Sequence, residues 1–245
     1  MSHSVQHFCL VSFNSDWRQS VCGRFYVNND IYIKELVTIL GAAQGTLHSS
    51  ADVSPGSRVS IVRQIQSERV LSEALWWLLL DDKTLKPNYR YTSFNSRYDK
   101  LNSPRSISYK PYRESRCIVP ASGFVEGLGD KKTYFQIEPV QGAIAFGGLY
   151  KEWQNQQTGE LVYSTAIITL PAHPKLKTIH PKSIPLMLPY HDRQLIAMWL
   201  DPGFKKVEAF QKLLKPTLTM AQRITPIDKP AKRCAIRNSF IIEAD

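Results

Sequence analysis

The sequence predicts an α+β protein built as one domain. Three observations carry this: a middle region dense in short β-like runs, one short helix ahead of it, and two amphipathic segments near the C-terminus. At 245 residues the chain buries a sizeable core, and mixed barrels of this length commonly form one unit.

The stretch QSVCGRF (19–25), continued as VCGRFYV (21–27), reads as a strand that carries a thiol, a glycine and a guanidinium in a row. Asn29 and Asp30 are N-cap residues ahead of IYIKELVTIL, whose apolar spacing is helical, and Gly41 stops that helix. Residues 42–57 hold turn formers and a Pro-Gly pair, after which RVSIVRQI alternates as a half-buried strand does. The runs RCIVPASGFVE, TYFQIE, AIAFGGLY, STAIITL and SIPLMLP follow, separated by loops containing Gly, Pro, Asp or Asn. HDRQLIAMWL places Leu195, Ile196, Trp199 and Leu200 on one face, and FKKVEAFQKLL does so with Val207, Phe210, Leu213 and Leu214. Asp201-Pro202-Gly203 separates the two, which are expected to cover the sheet.

Lysine plus arginine outnumber aspartate plus glutamate by 31 to 21, a formal charge of +10. That balance favours a polyanionic partner, nucleic acid first, through phosphate neutralisation and counterion release; the alternative is a basic surface that serves solubility alone. Aromatic residues in WW (76–77), YRYTSF (89–94) and YKPYR (109–113) lie among arginines and lysines. They serve either as stacking platforms for bases or as core. No apolar run reaches the roughly 18 residues of a membrane span, and no secretory pattern opens the chain, so the expectation is a cytoplasmic protein with no membrane partner. Cys9, Cys22, Cys117 and Cys234 lack the clustering of a zinc site or a disulfide framework, which argues for reduced thiols and against a metal or other cofactor.

Several fragments together resemble one family. VCGRF (21–25), DVSPG (52–56), SFNSRYDKL (93–101), RCIVPASGFVE (116–126), AFGGLY (145–150) and AIITLPAHPKLKTIHPKSIPLML (166–188) are similar, in order, to the SOS response-associated peptidases, the abasic-site processing proteins. The resemblance implies a single SRAP-like domain over residues 22–245: a barrel-like mixed β-sheet with covering helices and a basic cleft for single-stranded DNA. It also implies covalent capture of abasic sites, as a thiazolidine crosslink formed by an N-terminal cysteine. A bacterial protein that meets the nucleoid through DNA, with a monomer favoured, completes that expectation.

Elementary chemistry supports the type of nucleophile. An α-amine titrates near about 7.7 to 8.0 and a lysine amine near about 10.4, so the first offers far more neutral amine at neutral pH. A cysteine adds a thiol placed to attack the imine and close a five-membered ring. Cys22 is internal to the printed chain, so the mechanism requires its amine to be exposed. Either Val21 is a GTG start and residues 1–21 are an over-extended reading frame, or Cys22 attacks the Val21 carbonyl and the thioester hydrolyses. The resemblance assigns proton transfer to Glu126 and His180, with Schiff-base and lyase-like chemistry through the amine; His173 and His191 compete with His180 by residue type alone. Asn95 is assigned to the sugar oxygen or aldehyde and Arg97 to a phosphate, with Asp99 in place of the usual glutamate. Arg24, Arg105 and Arg113 are candidate backbone contacts, while Arg116 is structural or a further one. Asp52 either binds near the cysteine amine or only sets a turn. Two rival readings are a non-catalytic basic module for single-stranded nucleic acid, and a cysteine peptidase acting in trans with Cys22, His180 and Glu126.

Overall fold

The structure is a computed structural model that describes residues 23–42 and 45–245. The expected extension 1–21 and Cys22 lie outside the described residues. In chain order the elements are β1 (Phe25–Val27), α1 (Ile31–Ile39), β2 (Ser50–Val53), β3 (Arg58–Ile65), β4 (Glu68–Leu75), β5 (Asn95–Arg97), α2 (Tyr109–Glu114) and β6 (Arg116–Ala121). There follow β7 (Gly123–Gly127), β8 (Tyr134–Pro139), β9 (Ile144–Gln154), β10 (Leu161–Pro171), β11 (Ser183–Pro185), α3 (Arg193–Leu200), β12 (Gln222–Ile227) and β13 (Phe240–Ile242). The fold is α+β, as expected, and no helix among the described residues is long and apolar enough to cross a membrane.

Strands β10, β4, β3, β6 and β9 pair in turn, and β9 pairs back onto β10, which closes a five-stranded barrel. Closure leaves these strands without a free edge along the ring. Strand β5 runs parallel to β10 and β11 antiparallel to it. A second sheet has the order β13-β12-β8-β7-β1-β2. The run RCIVPASGFVE, expected as one strand, supplies β6 to the barrel and β7 to the second sheet. The switch falls at Ser122, whose N–H donates to Tyr26 O and whose hydroxyl accepts from Asn28 N, so β1 pins the corner between the two sheets. All six residues of β6 are buried, the signature of a strand covered on both faces.

The helix over 31–39 forms where its caps predict. The Asp30 side chain accepts from Ile33 N, and Gly41, at φ +68°, closes a Schellman motif in which Gly41 N reaches Thr38 O and Ala42 N reaches Val37 O. The segment 204–214 differs from a regular amphipathic helix: Val207–Leu214 folds as 3₁₀ turns. Phe210 packs on Trp199 at 5.1 Å and on Phe204 at 5.5 Å, and spacing in threes brings Val207 and Phe210 to one buried line. The aromatic runs divide between buried and exposed rings. Trp76, Trp77, Phe94 and Tyr112 are core, whereas Tyr89 and Tyr91 are 63% and 60% exposed.

Arg116 ties this cover to the barrel. Its buried guanidinium donates to the carbonyls of Tyr112, Arg113, Trp199, Asp201 and Phe204, and burial lowers its pKa to about 10. It thus satisfies carbonyls at the C-terminal ends of α2 and α3 together, the last-turn groups that a helix leaves without partners. Arg116→Met leaves those buried carbonyls without donors and is expected to cost about 3 kcal/mol or more, read by denaturant unfolding.

Candidate active site

The register of β1 on β7 builds the site. Phe25 faces Phe124, Tyr26 faces Gly123, and Val125 N continues the ladder to Arg24 O at 2.9 Å. Continued by one residue, that register sets Gly23, next in chain to Cys22, opposite Glu126. A cavity of about 500 Å³ opens there, lined by Gly23, Arg24, Glu126, His180, Lys131 and Lys182 among others. Ser54 and Pro55 of the DVSPG loop, Tyr134 on β8 and Pro230 also line it.

Glu126 and His180 form a buried pair. His180 Nδ1 lies 2.7 Å from Gly127 O and 3.3 Å from Glu126 Oε2, and the two side chains are 8% and 5% exposed. A carbonyl only accepts, so Nδ1 carries a proton, and Nε2 is the ring nitrogen left to give or take one. That Nε2 is buried and has no hydrogen-bond partner among the described residues. An imidazole oriented in this way by a carbonyl and a carboxylate can give and take protons. The two other candidate histidines sit elsewhere: His173 is buried against Asp245, and His191 is exposed beside the Tyr190 ring.

The remaining predicted residues fall into three groups. Arg24 lines the cavity and pairs with Asp52 at 3.2 Å, both partly exposed, while Asp52 itself stands outside the lining. Asn95 is half-buried on β5, where it faces Ile167 of β10; Arg97, exposed, makes two hydrogen bonds to Asp99. Arg105 is exposed, and Arg113 donates to Leu101 O, Tyr109 O and Asn102 Oδ1 with its guanidinium 3.7 Å from the centre of the Tyr109 ring. Neither lines the cavity.

Sequence reasoning passed over Lys131 and Lys182, which add positive charge to the rim. The loop carrying Lys131 is a tight turn: Asp130 accepts from Thr133 N, Thr133 Oγ1 and Lys132 N, bonds that lower its carboxyl to about 2. The Gly-Asp-Lys-Lys string was the available signal.

The profile of the family described as SOS response associated peptidase (SRAP) matches residues 21–232. The chain belongs to this family. Among relatives of the SRAP chain, abasic site processing protein YobE of Bacillus subtilis is 28% identical over 202 residues, 80% of this chain and 89% of that one. Abasic site processing protein YoqW of the same organism is 27% identical over 202 residues, 80% of this chain and 87% of the other. A crystal structure of a protein from Bacteroides thetaiotaomicron superposes with a TM-score of 0.66 at 21% identity, covering 85% of this chain and 93% of its own, a likeness of fold.

Gly127 leaves little room for added bulk in the SRAP site. A Cβ there would stand 2.9 Å from Thr133 O and 2.9 Å from Tyr134 Cδ1. Gly127→Ala is expected to cost about 1–3 kcal/mol by thermal unfolding. It should also shift the His180 Nδ1–H resonance, because the carbonyl that accepts this proton must move; an unmoved resonance means Gly127 does not set the ring.

Proposed function

We propose that this protein captures abasic sites in single-stranded DNA by condensing the α-amine and thiol of Cys22 with the ring-opened sugar aldehyde. The observation that carries the reading is the buried Glu126–His180 pair on the wall of a cavity with a cationic rim, which is lined also by Gly23, the residue next in chain to Cys22. The family match and the relatives named as abasic site processing proteins support it.

The steps balance without a cofactor. The amine adds to the C1′ carbonyl, the carbinolamine loses one water to give an imine, and the sulfur adds to the imine carbon while nitrogen takes the thiol proton. Glu126 and His180 are the groups that move protons, first from the sugar hydroxyl to the ring oxygen and then onto the departing water. Arg24, Lys131 and Lys182 hold phosphates, Asn95 holds the sugar oxygen or aldehyde, and Arg97 holds a further phosphate. Binding is independent of base sequence because phosphates dominate it and the lesion has no base to read. The reading requires Cys22 to bear a free α-amine, through a start at Val21 or through self-cleavage after it.

Protein beginning at Cys22, incubated with an oligonucleotide holding one abasic site, should give a heat-stable crosslink in denaturing electrophoresis, with the added mass on the Cys22 peptide. Cys22→Ala or acetylation of that amine should abolish it, and Glu126→Gln should slow it by about a hundredfold. A crosslink that survives acetylation, or none from the unmodified protein, overturns the proposal. Cleavage of added peptides by the acetylated protein would instead favour a peptidase acting in trans.

A further inference from the structure

We infer that Asp245 is a positioning residue for this site: its carboxylate latches the loop that carries His180, and so fixes the imidazole against Gly127 and Glu126. The inference rests on the reading of the Glu126–His180 pair as the proton-transfer machinery.

The latch is built from three donors. Asp245 Oδ2 accepts from His173 Nε2 at 2.8 Å and from Leu218 N at 2.9 Å, while Oδ1 lies 2.9 Å from Lys175 Nζ. Lys175 Nζ also donates to Glu243 O and Ala244 O at 3.0 and 2.9 Å, so the ammonium closes on the tail from both sides. Burial works against the Asp245 charge, yet the Leu218, Lys175 and His173 hydrogen bonds hold its carboxyl down at about 2. The carboxylate is therefore ionised at any working pH.

The His173 side chain is 4% exposed and transmits the constraint. Its Nδ1 accepts from Lys175 N at 3.2 Å, which leaves the proton on Nε2 for Asp245 and makes His173 the cap of a 3₁₀ turn over Pro174–Leu176. From that turn Leu176 O accepts the N–H groups of Ile179 and His180, at 2.9 and 2.8 Å. Leu176 and Ile179 are buried, so the turn is seated in the core and its orientation passes directly to His180. A misplacement of about 1 Å at a catalytic group, caused from outside the site, can cost on the order of a hundredfold in rate.

The latching segment lies beyond residue 232, where the match to the family profile stops. Residues 233–245 return along the second sheet, through the Ile227–Ala235 bridge and β13 on β12, to reach the His180 loop. At its other end Arg233 lies 3.8 Å from the centre of the Tyr26 ring on β1, so the segment straps both chain stretches that flank the cavity.

Asp245→Asn keeps the shape and removes the charge. In the Cys22-start protein it should slow single-turnover crosslinking at saturating oligonucleotide by about tenfold or more while affinity for undamaged single-stranded DNA stays within about twofold, and it should shift the His180 Nδ1–H resonance. Asp245→Glu, which keeps the charge, should recover most of the rate. Lys175→Met, which cuts one arm and leaves His173 paired, should move the same resonance in the same direction and serves if the first variant does not fold. Wild-type rate and an unmoved His180 resonance in the folded variants overturn the latch. If the unmodified protein forms no crosslink, the capture reading fails, and the resonance alone decides the latch: moved supports it, unmoved overturns it.

Discussion

The carbonyl of Gly127 accepts the Nδ1 proton of His180 at 2.7 Å, and the geometry of the candidate site follows from that contact. It keeps a proton on Nδ1, leaves Nε2 as the nitrogen to give or take one, and brings the ring to 3.3 Å from Glu126. The carbonyl and the carboxylate belong to successive residues on β7 and the histidine to a loop after β10, so the second sheet and the barrel must hold their mutual position for the contact to exist. A buried carboxylate and a buried imidazole are each costly apart and tolerated together, which makes the pair a test of that mutual position.

The protein secures this relation with polar links in places where apolar packing gives little direction. Ser122 turns one continuous chain segment from barrel to second sheet, and Arg116 collects carbonyls from the ends of α2 and α3. Around them lies an aromatic core in which Phe25 meets Trp76 at 4.8 Å and Phe146 at 6.0 Å, edge to face. Because Phe25 follows Arg24 directly, the core anchors the chain immediately after the cavity wall. Lines of positive charge then remain on the rim, where Arg24 shares its guanidinium with Asp52 across a half-exposed pair that solvent screens strongly.

Legibility in the sequence varied with how local the determining physics is. Helix 31–39 was readable because its caps are local: Asp30 and Gly41 act within a few residues. The strands β3, β8, β9 and β10 carried a pattern of their own, but β2, β12 and β13 did not, since these short strands owe their existence to neighbours distant in the chain. Within the site, Glu126 and His180 stood out only through the family resemblance. Their spacing of 54 residues is no motif, and nothing in IHPKSIP or GFVE names the other as partner. Lys182 and the His173–Asp245 contact left no readable pattern for the same reason, whereas Lys131 sits in a Gly-Asp-Lys-Lys turn string.

The sequence by itself determined the α+β class, the helix over 31–39, the amphipathic cover and the excess of positive charge, because propensity, capping and side-chain ionisation act within a few residues or by simple sum. Only the tertiary structure decided which of three histidines meets Glu126, which arginines remain turned to solvent, and which aromatic rings became core. Those outcomes depend on strand register and sheet closure, and a register is set by contacts between residues tens of positions apart, where a shift of one residue moves every side chain to the opposite face.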